Sequence, residues 1–117
     1  MIYVNEPAVR NYIVIRGQSF YDAFTIKQNN AAVDLTGWSA RERGKRNAND
    51  ASFDIDLSSD NGGIVLGGSA GTVVRQASPA TTRQWPLGDI PYQLEFEHSG
   101  AVQTYLVGVY TVLPEVA

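Results

Sequence analysis

At 117 residues, with 44% hydrophobic and 18% charged residues, the chain is sized for one domain around a single core and is short of charge, the usual share being about 25%. Its net charge of −3, from nine Lys and Arg against twelve Asp and Glu, has the wrong sign for general capture of nucleic acid. With no cysteine and a single histidine, His98, the sequence excludes disulfides, cysteine-based zinc or iron–sulfur centres and cysteine nucleophiles.

The chain opens on Met1-Ile2-Tyr3-Val4-Asn5-Glu6-Pro7, which lacks a basic region followed by an apolar run, and no window reaches the roughly 18 apolar residues of a membrane span. Residues 1–9 are read as an N-terminal arm and 10–117 as the domain. An arm that carries Ile2, Tyr3 and Val4 is too apolar to stay solvated, so it is expected to pair with a sheet edge or to lie on a neighbouring subunit.

Period-two alternation then predicts strands at 10–16, 19–27, 38–43, 52–57, 63–66 and 71–76. Turn-formers separate them: Gln28-Asn29-Asn30, Asn47-Ala48-Asn49-Asp50, Asp60-Asn61-Gly62-Gly63 and Gly67-Gly68-Ser69-Ala70-Gly71. One helical turn is expected at 78–84, with Ser78 as N-cap and Pro79 preset at the first helical position. The alternation is clearest at 91–98, where Tyr92, Leu94 and Phe96 face one way and Gln93, Glu95 and Glu97 the other; Ser99-Gly100 then turns the chain into a strand over 101–113. About seven to eight short strands at turn spacings of about 8 to 12 residues predict an all-β, antiparallel immunoglobulin-like β-sandwich. Its core should hold Ile13, Ile15, Phe20, Phe24, Ile26, Leu35, Trp38, Phe53, Ile55, Leu57, Ile64, Leu66, Val73, Tyr92, Leu94, Phe96, Leu106, Tyr110 and Val112.

Two acids break the pattern. Asp22 is in phase with Phe20 and Phe24, and Glu42 with Trp38 and Ala40, so both point inward unless a bulge intervenes. Buried carboxylates need a cation such as Arg16 or Lys45, or a proton. The last strand departs in the opposite sense: with Leu106, Tyr110 and Val112 inward, its other face shows Tyr105, Val107, Val109 and Leu113, where an exposed face should alternate with polar groups. The N-terminal residues Ile2, Tyr3 and Val4 cover that face, or it is a subunit interface, or both hold with the arm exchanged between neighbours.

The remaining clusters carry little chemistry. Arg41-Glu42-Arg43-Gly44-Lys45-Arg46 has no interleaved aromatic residue to stack on bases and is followed by Asp50, Asp54, Asp56 and Asp60, so it reads as a solvated strand end whose target, if any, is an acidic protein surface. The acids lack calcium-loop spacing, and Asp54 and Asp56 are explained as outward strand residues. The glycines at 62–71 have no Lys-Ser/Thr pair and no following helix, and His98 has no nucleophile beside it in the pattern. No metal, no cofactor and no enzymatic constellation is expected.

The ordered set Gly17-Gln18-Ser19-Phe20, Val33-Asp34-Leu35-Thr36-Gly37-Trp38-Ser39-Ala40-Arg41, Asn61-Gly62-Gly63-Ile64-Val65-Leu66, Pro91-Tyr92-Gln93-Leu94-Glu95 and Leu106-Val107-Gly108-Val109-Tyr110-Thr111-Val112-Leu113-Pro114-Glu115-Val116 resembles the immunoglobulin-like domain of tailed-phage virion proteins. It is similar in particular to the N-terminal domain of the baseplate upper protein family, over residues 10–116. The resemblance implies a virion structural protein, assembled in the host bacterial cytoplasm, that attaches by contact with other virion proteins in a symmetric homo-oligomer, without nucleic acid or membrane. Baseplate or tail attachment is the expected role, with Ile2, Tyr3, Val4, Tyr105, Val107 and Val109 at the partner interface. A head decoration or neck protein is the alternative within that class. A carbohydrate-binding sandwich is the alternative outside it, for which Trp38, Trp85 and Tyr105 would have to form an exposed platform, with Trp85 the best candidate ligand contact.

Overall fold

The computed structural model describes residues 2–3, as backbone, and 7–116 with their side chains. In chain order the strands are β1 (Ile2–Tyr3), β2 (Ala8–Val9), β3 (Tyr12–Ile15), β4 (Phe20–Gln28), β5 (Ala31–Ala32), β6 (Ser39–Gly44), β7 (Ile55–Ser58), β8 (Ile64–Leu66), β9 (Thr72–Ala77), β10 (Gly88–His98) and β11 (Ala101–Leu113), with a 3-10 turn (Gly68–Ala70) between β8 and β9 and a helical turn, α1 (Pro79–Thr82), between β9 and β10. They form two sheets. The larger has the order β2-β11-β10-β6-β7 with β3 also on β11, and the smaller has the order β1-β4-β9-β8 with β5 also on β4.

Local chemistry explains the connections. Asn29-Asn30 and Ser99-Gly100 each take positive φ at both positions, 53° and 63° in the first and 53° and 83° in the second, the backbone that closes a two-residue hairpin with the right twist. In Asp34-Leu35-Thr36-Gly37 the Asp34 carboxylate accepts from the Thr36 amide and hydroxyl, Gly37 takes φ 81°, and Leu35 plugs the core. Ser78 Oγ accepts from the Thr81 amide to cap α1. Thr82, the buried residue of that turn, accepts from the Gly17 amide and donates to the Gln18 carbonyl, so α1 is bolted to the β3–β4 turn.

Between the sheets, alternate residues meet in one core: Ile26, Ile55, Ile90, Leu94, Leu106 and Tyr110 have no accessible surface, each apolar side chain so buried contributing about 1.5–3 kcal/mol. The predicted core changes in two places. Ile13 is 74% exposed because Tyr12 and Val14 set the inward phase of β3, and Phe53 is 42% exposed because β7 begins only at Ile55. Ile15, Trp38 and Leu66 are half-buried.

The pairing is antiparallel except where the N-terminal segment joins. β1 runs parallel to β4, while β2 and β3 in succession run parallel to the same strand, β11. The proposed arm therefore pairs with both sheets of its own chain. Gly108 makes that seat possible: a Cβ there would lie 1.8 Å from the Arg10 carbonyl oxygen, where the backbone between β2 and β3 passes close to β11.

Candidate functional site

A cluster of ionisable groups lies inside the sandwich. Arg75 on β9 has no exposed surface and reaches across to the larger sheet. Its Nη1 donates to Glu42 Oε1 at 2.6 Å and to the Tyr110 hydroxyl at 3.2 Å. Its Nη2 donates to Asp22 Oδ2 at 2.5 Å and to the Tyr12 hydroxyl. Tyr110 in turn donates to Glu42 Oε2, and Tyr12 to Asp22 Oδ2. Arg75 Nε has no hydrogen-bond partner, but the rings of Tyr12, Phe20, Phe24 and Tyr92 lie within 6 Å of the guanidinium carbon and present their negative faces to it.

Both in-phase acids do point inward, and the cation that holds them is neither Arg16, whose Nη2 donates to the Arg83 carbonyl, nor Lys45, whose Nζ donates to the Asp50 carbonyl. Two carboxylates sharing one guanidinium are driven apart in acidity. Burial opposes ionisation of Asp22, yet the hydrogen bond and charge of Arg75 hold its carboxyl below the usual range. Glu42 is wholly buried, and that desolvation, against the pull of Arg75, raises its carboxyl above the usual range. Burial likewise pushes the Tyr110 hydroxyl well up. Glu42 and Arg75 are closed to any external ligand, so the cluster joins the two sheets.

The outer face of the larger sheet is different. Val107 and Val109 on β11 point outward and are half-buried. The parallel register places Val9 beside Val107, Ile13 beside Thr111 and Ile15 beside Leu113, with Val9 69%, Ile13 74% and Leu113 40% exposed. β2 and β3 thus extend the apolar face. Across β10 and β6 the same concave face becomes charged, where Arg41 donates through Nε and Nη2 to Glu95 at 3.1 and 3.0 Å. Arg43 lies 3.7 Å from Asp56, and Arg46 3.8 Å from Asp54. The guanidinium of Arg43 and the ammonium of Lys45 sit 4.6 and 4.8 Å from the centre of the exposed Phe53 ring. Asp54 and Asp56 thus serve arginines.

The predicted interface residues separate. Val107 and Val109 share the outer face, but Tyr105 is 4% exposed and turned inward. The register of β10 and β11 shifts so that Leu94 faces Leu106 while Glu95 faces Thr104, leaving Tyr105 as the extra residue of a β-bulge. A bulge reverses the inside–outside phase, and Tyr105 packs on Phe96 at 5.0 Å. Ile2 and Tyr3 are seen as backbone on β4, and Val4 lies outside the described residues. Trp85 is 2% exposed and packs against Phe20 and Tyr110, and Trp38 stacks on His98 at 5.0 Å, so these three aromatics form no open platform. Sequence reasoning missed Arg75, although its phase with Val73 on β9 is an available signal, and it missed Val9 as part of the apolar face.

No family model matches the chain, and no curated protein matches it. Among solved structures, the N-terminal domain of phage TP901-1 ORF48 is similar in fold, with a TM-score of 0.56 and 14% sequence identity over 95% of this chain and 92% of that one. At that identity the likeness is one of fold, and it agrees with the immunoglobulin-like phage domain that the sequence motifs resemble.

Proposed function

We propose that this domain is a non-enzymatic attachment or adaptor module of a tailed-phage virion, in the baseplate or tail, working through protein–protein contact in a symmetric assembly. The observation that carries the reading is the aliphatic outer face of β11 and its N-terminal neighbours: Val9, Ile13 and Leu113 are exposed beside the half-buried Val107 and Val109. An edge-to-centre apolar strip of this kind is a hazard unless a partner covers it. The fold likeness to a phage protein's N-terminal domain supports the virion setting.

Val107→Glu tests the contact. The side chain points out of the core, so the variant should fold with a melting temperature near that of wild type, yet fail to enter particles and lose self-association in sedimentation. Normal incorporation of a folded Val107→Glu protein rules out this face as the contact. The position and copy number of the protein in purified virions then decide between baseplate or tail and head or neck.

A further inference from the structure

The concave outer face has a polarity of its own. At the β2–β11 end its floor is Val9, Val107 and Val109; at the β6 end its wall is Arg43, Lys45 and Arg46 above Phe53. Four of the chain's nine basic residues line this groove, against one of its twelve acids, Glu95, which Arg41 already holds. Asp56 and Asp54 stand behind that wall, 3.7 and 3.8 Å from Arg43 and Arg46, so the surplus is a single cation, Lys45, whose ammonium donates to the Asp50 carbonyl; in a chain of net charge −3, that is still a locally positive end beside aliphatic surface.

From β2 to β6 the groove crosses three inter-strand spacings, β2–β11, β11–β10 and β10–β6, or about 14 Å at about 4.8 Å each. An extended segment of about four or five residues spans that length. Resting on the reading of this face as a contact surface, we propose that it takes a short extended segment of another virion protein, with branched aliphatic side chains at one end over Val107 and Val109 and carboxylates at the other against Arg43 and Lys45. Charge complementarity selects this occupant. A cationic segment would meet the basic wall, and an all-apolar one would strip water from Lys45 and from the loose Arg43–Asp56 and Arg46–Asp54 pairs without replacing it. Nucleic acid lacks the aliphatic end, and the Phe53 ring of the wall already has Arg43 and Lys45 within 5 Å of its centre.

The test uses the full chain labelled with ¹⁵N and three probes: a peptide with two leucines, three serines and three glutamates in that order, the same peptide with lysines for the glutamates, and a double-stranded DNA 12-mer. The glutamate peptide should shift amide resonances around residues 43–46 and 107–109 with submillimolar affinity. The lysine peptide should bind at least about tenfold more weakly, and Arg43→Glu with Lys45→Glu should weaken the glutamate peptide by a similar factor. If the double variant does not fold, Arg43→Gln with a salt titration replaces it and should give a weaker, less salt-dependent complex. Equal binding of both peptides, shifts elsewhere, or no shifts at about 2 mM peptide overturn the proposal, as does tighter binding of the DNA at the same amides. If Val107→Glu fails to assemble while the folded charge-reversed protein enters particles normally, the contact reading stands and the groove occupant is wrong. If both enter normally, the contact reading itself fails.

Discussion

Arginine meets carboxylate in two regions of this sandwich under opposite conditions. Arg75 and Glu42 have no exposed side-chain surface, whereas Arg41 and Glu95 keep 43% and 27%, and Arg43 and Asp56 keep 41% and 51%. Outside, water already solvates both partners and the pair adds little. Inside, the pair does not so much add stability as prevent a large loss, because each member is the other's replacement for water. The interior ions therefore hold one sheet to the other, while the exterior ions stay in contact with water.

Removing Arg75 should have the largest effect. Arg75→Ala leaves Glu42 buried without its cation and should cost about 3–5 kcal/mol in urea unfolding; a loss no greater than that of Arg41→Ala would erase the distinction between the two regions. Gly108→Ala comes next, since its Cβ must displace backbone and not a flexible side chain. Unseating β2 and β3 from β11 should cost about 1–3 kcal/mol, read by thermal melting.

The pH dependence sharpens the comparison by sign. Asp22 has a folded pKa below its ordinary 3.8, so its contribution is present above that value and is lost as pH falls through the folded pKa. Asp22→Asn should flatten the acid limb of the stability curve below about pH 4. Glu42 is raised above its ordinary 4.5, so its contribution is full below that value and is lost as pH rises through the folded pKa; Glu42→Gln should flatten that opposite slope. The smallest effect belongs to Arg41→Ala, at about 0–1 kcal/mol in the same urea assay.

The strands were legible because alternation and turn residues are local. The hairpin at Ser99-Gly100, the cap at Ser78 and the plug at Leu35 all sit where their own neighbours dictate. The inward acids Asp22 and Glu42 were legible for the same reason, but their cation was not, since Arg75 is 53 residues from one and 33 from the other, and only the stacking of the sheets brings them together. Tyr105 was misplaced because one inserted residue inverts the alternation and nothing in Thr104-Tyr105-Leu106 announces it. Of the outer apolar face, Val107 and Val109 were visible on their own strand, whereas Val9 joins them through pairing between distant parts of the chain.

The parallel seating of β2 and β3 on β11 has a kinetic consequence. Residues 8 and 106, or 12 and 110, are paired at nearly the full length of the chain, so the edge of the larger sheet cannot close until the last strand has left the ribosome. Contacts of such separation put a domain in the slow class, on the order of milliseconds to seconds. The unfinished β11 edge is meanwhile open to the wrong strand. A nascent chain would thus hold its N-terminal strands in waiting, and exchange of those strands between two copies would be the characteristic folding error of this topology.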